Sequence, residues 1–396
     1  MVQKKMKGLT GSEASAEAMR QIDPDVVPVY PITPQTPVMH TFSKYISDGE
    51  VNTELIRVES EHSAMSATVG ASAAGARVMT ATSANGLALM HEVVYIAASS
   101  RLPIVMTVVN RALSGPINIH CDHSDTMAER DSGWLQFYCS NAQEVYDMTI
   151  IAMKVAEHKD VLLPVMVCQD GFITSHGVEN VETLDNNTVK MFIGEHTPTY
   201  PLLDTDNPVT YGPLDLFDYY FEHKRQQSEA MMHSRKIVED VFSDFAKITG
   251  RHYSTTEDYM LDDADHVILV MSSTADTAKE VVDDLRSKGE KAGLLKLNVF
   301  RPFPVGKIID SLRGKKAVGV MDRSESFGAM GAALFNEVRS ALFEVPEHER
   351  PKIINYIYGL GGRDCDDETL SHVFKELKAL MDEDHFEKVR YLGVRE

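Results

Sequence analysis

No cysteine pair occurs anywhere in this 396-residue chain. Cys121, Cys139, Cys168 and Cys365 stand far apart with no C-x-x-C spacing, so neither a zinc ribbon nor a ferredoxin-type iron-sulfur run is encoded. Long apolar runs are missing too: none reaches the roughly 18 residues of a membrane span. The lysines of "MVQKKMKGLTGSEASAEAM" have no apolar stretch behind them, so no signal peptide is read and the cytoplasm is the expected address. Basic charge is scarce, with 39 Lys and Arg against 59 Asp and Glu and a formal net charge of -20. Nucleic acid needs a concentrated basic surface, which this composition excludes; basic partners fit it better. No G-x-x-x-x-G-K-[ST], H-E-x-x-H or G-x-S-x-G occurs, and "SESFGAMGAALF" is not a G-x-G-x-x-G loop.

What is present is a long chain with 43% hydrophobic residues, enough for two or three domains. From about residue 12 to 180, short β-rich runs alternate with helical patterns. "VVPVY", "ELIRVES", "RVMTATSA", "PIVMTVVNRA" and "VLLPVMVCQDG" read as strands, with "SEASAEAMRQI", "TPVMHTFSKYISD", "EHSAMSATVGASAAGA", "NGLALMHEVVYIAASS" and "NAQEVYDMTIIAMKVAEHK" as helices. Strands separated by helices require right-handed crossovers, so the fold class is α/β with a doubly wound, mostly parallel sheet. The rhythm breaks near residue 185 and resumes after a long charged helical pattern. There "HVILVMSS", "AGLLKLNVFRPFP", "KKAVGVMDRS" and "KIINYIYGLGG" read as four strands of a smaller C-terminal α/β domain. The expected division is 1–185, a connector 186–255, and 256–396.

Ligands of an open α/β sheet bind beyond the carboxyl ends of its strands. Three junctions there carry chemistry. In "VPVYPITPQTP", prolines on either side stiffen the backbone around Thr33, whose hydroxyl is suited to capping the next helix or to donating to a ligand. In "RVESEHSAMSATVGASAAGA", Glu59, Ser60 and Glu61 open a helix of small residues, along which a large cofactor or another subunit can approach the backbone. A carboxylate on that surface either serves the helix dipole or exchanges protons with a ligand. Arg111 follows the strand "PIVMTVVN", where it either forms a surface ion pair or binds a small carboxylate bidentately. Downstream, His120, Asp122, His123 and Asp125 are metal-ligand types at a spacing that matches no ligand signature, so no metal is assigned. The "GLGGRD" glycines read as a tight turn.

Seven blocks, "YPITPQTP", "VESEHSAMSATVGASAAGAR", "TATSANGLALMHE", "PIVMTVVNRAL", "RDSGWLQFYCSNAQEVYD", "FRPFP" and "YGLGGRD", closely resemble the alpha subunit of the multi-subunit 2-oxoacid:ferredoxin oxidoreductases, the pyruvate enzymes above all. The blocks follow the same order over nearly the whole chain. The resemblance implies a thiamine diphosphate enzyme divided between subunits. This chain would supply the pyrimidine-binding domain and a C-terminal domain like the third domain of transketolases. A beta subunit would hold the diphosphate and Mg2+. The [4Fe-4S] clusters would lie in the beta and a ferredoxin-like delta subunit, with a gamma subunit completing the assembly. This chain lacks the "GDG" of the diphosphate signature, in keeping with that division.

By the same resemblance, Glu61 is the catalytic glutamate that hydrogen-bonds N1' of the aminopyrimidine. It is preferred to Glu59 because the small-residue helix follows it directly. Pro31 flanks the cofactor, and Thr33 and Arg111 bind the substrate. The implied reaction takes pyruvate and coenzyme A to acetyl-CoA and CO2, passing electrons to ferredoxin; 2-oxoisovalerate, 2-oxoglutarate or oxalate are the alternative substrates. A rival of another class is a non-catalytic scaffold that docks redox subunits. Neither a nucleic acid nor a membrane partner is expected.

Overall fold

The computed structural model describes residues 4–383 and 385–395. The chain opens with β1 (Lys4–Thr10), α1 (Gly11–Ile22), β2 (Val26–Val29), α2 (Thr36–Ser47), β3 (Glu54–Arg57), α3 (Glu61–Ala74), β4 (Val78–Thr82) and α4 (Ala84–Ser99). It continues through β5 (Ile104–Asn110), α5 (Ser124–Ala128), β6 (Leu135–Cys139), α6 (Ala142–Ala156), β7 (Val165–Asp170), β8 (Val178–Leu184) and α7 (Asn186–Ile193). A long segment then leads into α8 (Tyr220–Thr249). The C-terminal part comprises β9 (Thr256–Tyr259), β10 (His266–Met271), α9 (Thr274–Ser287), β11 (Ala292–Leu297), β12 (Val299–Arg301) and α10 (Val305–Leu312). It ends with β13 (Ala317–Asp322), α11 (Ala333–Phe343), β14 (Lys352–Ile357), α12 (Asp367–Leu380) and β15 (Val389–Tyr391).

Two main sheets result. The first has the order β12-β6-β7-β5-β4-β2-β3, with every pair parallel except β12 against β6. Its centre is covered on both faces, which is why all seven residues of β5 and all six of β7 are buried and why those strands read as unbroken apolar runs. The second sheet, β15-β14-β13-β10-β11-β9, is parallel apart from β9 against β11. The α/β class with a doubly wound parallel sheet and a smaller second α/β unit is the observed architecture. Among the described residues no helix is long and apolar enough to cross a membrane.

Three features depart from the sequence reading. "AGLLKLNVFRPFP" is two strands, not one: β11 stays in the second sheet, whereas β12 crosses over and pairs with β6 of the first. The break falls at Asn298, whose side-chain amide bonds the Ser254 carbonyl at 3.0 Å while its N–H bonds the Thr255 carbonyl. "LQFYC", not read as a strand above, is β6 itself, and the lysine-rich start forms β1, antiparallel to β8 in a sheet of its own. One hydrophobic cluster consequently runs through both units, from Trp134 and Tyr138 to Phe300, Leu295 and Val320. Burial on that scale favours a fixed relation between the sheets.

Candidate functional site

The carboxyl ends of β3, β2, β4 and β5, adjacent in the first sheet, hold every candidate residue. α3 begins where the sequence indicated, because Ser60 accepts from the Ser63 N–H at 3.2 Å and leaves Glu61 as the first helical residue. Glu59 stays at the surface, bonded to the Ser63 hydroxyl. Glu61 instead turns inward and is 7% exposed. Among the described residues its carboxylate has no hydrogen-bonded or ionic partner. A buried acid without a partner is costly, so it is poised for a group that shares a proton.

The inward turn depends on a glycine that sequence reasoning did not single out. A Cβ on Gly86, in the first turn of α4, would lie 2.8 Å from Glu61 Oε1 and 2.5 Å from Thr82 Oγ1. Thr82 Oγ1 is itself buried without a partner among the described residues. The "SANG" run held the only signal, a glycine inside a helical pattern.

Thr33 and Arg111, from junctions two strands apart, are brought together. Arg111 is 7% exposed; its Nη1 donates to the Thr33 carbonyl at 2.9 Å and its Nε to the Asn118 carbonyl at 2.9 Å. Both acceptors are neutral, and among the described residues no carboxylate pairs with the guanidinium. A cation withdrawn from water with no counter-charge is matched to an anion, and its planar fork to a carboxylate. The Thr33 hydroxyl has no described partner, so it does not cap α2; Pro31 is exposed two residues before it. Gly171, at the end of β7, makes room for the turn: a Cβ there would sit 2.9 Å from Pro34 and 2.4 Å from the Asn110 carbonyl.

Asp125 holds this edge in register. One carboxylate accepts from the N–H groups of Ala84, Arg111 and Thr126, at 3.0, 3.0 and 2.8 Å, and from the Asn110 amide at 2.8 Å. Ala84 needs the anchor, since its φ of 41° lies in the left-handed region that disfavours alanine. Burial pushes the Asp125 carboxyl up to about 6 despite those four donors.

The four residues of metal-ligand type do not converge. Asp122 caps Ser124 and accepts from the Gly361 N–H, His120 packs on Phe172, and His123 turns to Asp170 at 2.8 Å. Cys121, His123 and Asp170 do cluster, with one ligand atom from each within 4.8 Å of the others. Arg323, however, already gives Asp170 a cation at 3.0 Å. Burial raises the Asp170 carboxyl, but His123 and Arg323 outweigh it and hold it well below the usual range. Because Arg323 and Ser273 belong to the second unit, this network joins the two sheets. The "GLGG" turn meets the Arg111 loop from the same side. Gly359, Gly361 and Gly362 have φ of 63°, 61° and 80°, and a Cβ on Gly362 would meet His120 at 2.3 Å. Those glycines therefore serve close approach as well as the turn.

Comparison with known proteins gives two family matches. Residues 17–243 match "Pyruvate flavodoxin/ferredoxin oxidoreductase, thiamine diP-bdg", and residues 264–370 match "Pyruvate:ferredoxin oxidoreductase core domain II". The pyruvate synthase subunit PorA of Thermotoga maritima is 59% identical over 388 residues, 98% of each chain. The ketoisovalerate oxidoreductase subunit VorA of Pyrococcus abyssi is 42% identical, covering 95% of this chain and 94% of its own. Among solved structures, a 2-oxoglutarate:ferredoxin oxidoreductase from Magnetococcus marinus, with 2-oxoglutarate, coenzyme A and succinyl-CoA bound, superposes with a TM-score of 0.71 at 20% identity. That likeness covers 95% of this chain and 65% of the neighbour's, and concerns the fold alone.

Proposed function

The chain belongs to the pyruvate:ferredoxin oxidoreductase family, and on that premise we propose that it is the alpha subunit of an enzyme that oxidises pyruvate with coenzyme A, releasing CO2 and passing electrons to ferredoxin. The observation that carries the site assignment is the inward-turned carboxylate of Glu61 against Gly86, without a partner among the described residues. Its surroundings fit the aminopyrimidine of thiamine diphosphate: a buried proton-exchanging acid, a glycine permitting close approach, and helices α3 and α4 packed side by side. Pro31 flanks the ring in this reading. When bound, thiamine diphosphate supplies the electron sink for decarboxylation.

Glu61 holds a proton at the pyrimidine N1' and returns it, a task for which a desolvated carboxyl is suited. Arg111 fixes the substrate carboxylate with the guanidinium edge that Thr33 and Asn118 leave free, and the Thr33 hydroxyl bonds the same substrate. One arginine with no ion-pair partner among the described residues matches a monocarboxylate. A 2-oxoisovalerate enzyme is the second reading, favoured by the VorA relative, and the 114–125 loop after Arg111 is where the two would differ.

The division of labour is proposed as follows. Residues 1–185 bind the pyrimidine, 186–255 connect, and 256–396 form the C-terminal α/β domain. The beta subunit holds the diphosphate and Mg2+. [4Fe-4S] clusters sit in the beta and delta subunits, beside gamma. The four cysteines here are free thiols, which supports a reducing, cytoplasmic setting.

The test is Glu61→Gln in the assembled complex, assayed with pyruvate, 2-oxoisovalerate, coenzyme A and a viologen acceptor. Loss of all 2-oxoacid oxidation with assembly intact is expected. Near-normal turnover would return the chain to the scaffold reading.

A further inference from the structure

The segment between α7 and α8 leaves apolar surface uncovered on a scale that folding alone does not explain. Leu203, Leu214, Phe217 and Tyr219 there are 76, 89, 91 and 66% exposed, and Phe221 in the first turn of α8 is 78% exposed. Single exposed apolar residues are ordinary, but Leu214, Leu216, Phe217, Tyr219, Tyr220 and Phe221, all exposed within eight positions, mark a contact surface. The arm is also held in place. The Leu202 N–H bonds the Ala73 carbonyl at 2.8 Å, the Tyr211 hydroxyl bonds the Tyr200 carbonyl at 2.8 Å, and Pro198 and Pro201 seat on Gly75 at the end of α3. Beneath it lies a cavity of about 1030 Å³, lined by Arg101, Lys154, Tyr200, Tyr211 and Leu214 among others. The helix that follows is equally bare at its start. None of its first ten residues is buried, whereas Ala230, Val238, Phe242 and Phe245 pack it to the body further on.

Charge identifies what covers the arm. Asp204, Asp206, Asp215, Asp218 and Glu222 lie along it, and no lysine or arginine occurs between Lys190 and Lys224. Asp215 is paired with His223; the other four have no basic side chain beside them among the described residues. An arm-to-arm contact with a second copy of this chain would set these carboxylates against their own kind, at a cost that rises as the interface loses water. Two copies of formal net charge -20 repel each other in any other arrangement. An anionic lipid surface would repel them in the same way.

We propose that residues 200–222 form a docking arm for a companion subunit of different sequence, one that presents an apolar groove rimmed by lysine and arginine. The proposal rests on the reading of this chain as one subunit of a larger enzyme. It adds which surface the assembly uses and the chemistry of the face opposite. Phe217 and Phe221, four residues apart on one face of a turn running into α8, are its anchors; the carboxylates select the partner.

A photoreactive benzoylphenylalanine in place of Phe217, irradiated in the purified holoenzyme, is expected to cross-link to a companion subunit at a peptide containing lysine or arginine. Capture of a second copy of this chain, or no capture, overturns the proposal. In parallel, Phe217→Ser with Phe221→Ser should weaken subunit retention at least tenfold by native mass spectrometry, and Asp218→Lys should do so most clearly at low salt. Undiminished retention in both refutes the arm. Failure of the catalytic reading is distinguishable, because the Glu61→Gln complex must still cross-link through the arm whether or not it turns over.

Discussion

Arg111 Nη1 lies 2.9 Å from the Thr33 carbonyl oxygen, joining residues 78 positions apart in the chain. The bond fixes the proline-flanked turn after β2 to the loop after β5, and it uses only the main chain of Thr33. The Thr33 hydroxyl, and the part of the Arg111 guanidinium that Thr33 and Asn118 do not occupy, remain available to a ligand.

Replacing Arg111 separates charge from shape. Arg111→Ala in the assembled enzyme is expected to lower kcat/KM for pyruvate by about 30-fold to several thousandfold, corresponding to about 2 to 5 kcal/mol for losing one side of a buried charged contact. Arg111→Lys keeps the charge but cannot bond Thr33, Asn118 and a carboxylate together, so it should recover only a small part of that loss. Steady-state kinetics decide: an unchanged KM and kcat/KM in the alanine variant remove Arg111 from substrate binding.

Gly86 tests the inward position of Glu61 without touching the acid. In Gly86→Ala the new methyl would meet Glu61 Oε1 at 2.8 Å and Thr82 Oγ1 at 2.5 Å, so the carboxylate has to move. A displacement of that order costs about 100-fold in rate, while alanine in a helix is itself favourable by about 0.5 to 1 kcal/mol. Turnover should therefore fall about 100-fold with thermal stability little changed. Combining the change with Glu61→Gln should add nothing further, since both act through one group. Wild-type turnover in Gly86→Ala would show that the Glu61 position is not critical.

Much of this was legible in the sequence, and what was hidden has a physical reason. β5 and β7 declared themselves as unbroken apolar runs because a covered parallel sheet buries both faces. Glu61 is singled out through the family resemblance, and preferred to Glu59 because a helix of mostly small residues follows it directly. β12 was hidden, since only three residues cross to the first sheet and nothing in "LNVF" marks the change of partner. Asp125 was grouped with metal-ligand types, yet its carboxylate serves four donors, from the start of α4, the end of β5 and the residue after it, and α5. Asp170 and Arg323, 153 positions apart, pair across the two units and carry no motif at all. Long-range pairing of this kind leaves no local period or spacing to read.

Two buried carboxyls should drive stability in opposite directions with pH. Burial pushes the Glu17 carboxyl up, but hydrogen bonds and charge from Arg20 and Lys7 outweigh it and hold it at about 2 against an ordinary 4.5. Its ionised form is favoured by the fold, so its contribution, about 3 kcal/mol, is complete above pH 4.5 and is lost as the pH falls towards 2. Asp125 has the reverse sign, raised by burial from 3.8 to about 6. Its contribution is complete below pH 3.8 and is lost as the pH rises through 6, again by about 3 kcal/mol. Denaturant unfolding of wild type and single variants from pH 3 to 8 separates the two. Glu17→Gln should lose most stability relative to wild type near neutrality and progressively less in acid. Asp125→Asn should have a difference curve that slopes the other way between pH 4 and 6, because the amide carries no charge to bury. It should also raise KM for pyruvate, since its NH2 group faces the N–H donors that place Arg111 and Ala84. Parallel difference curves for the two variants would mean that these carboxyls do not titrate as their surroundings dictate.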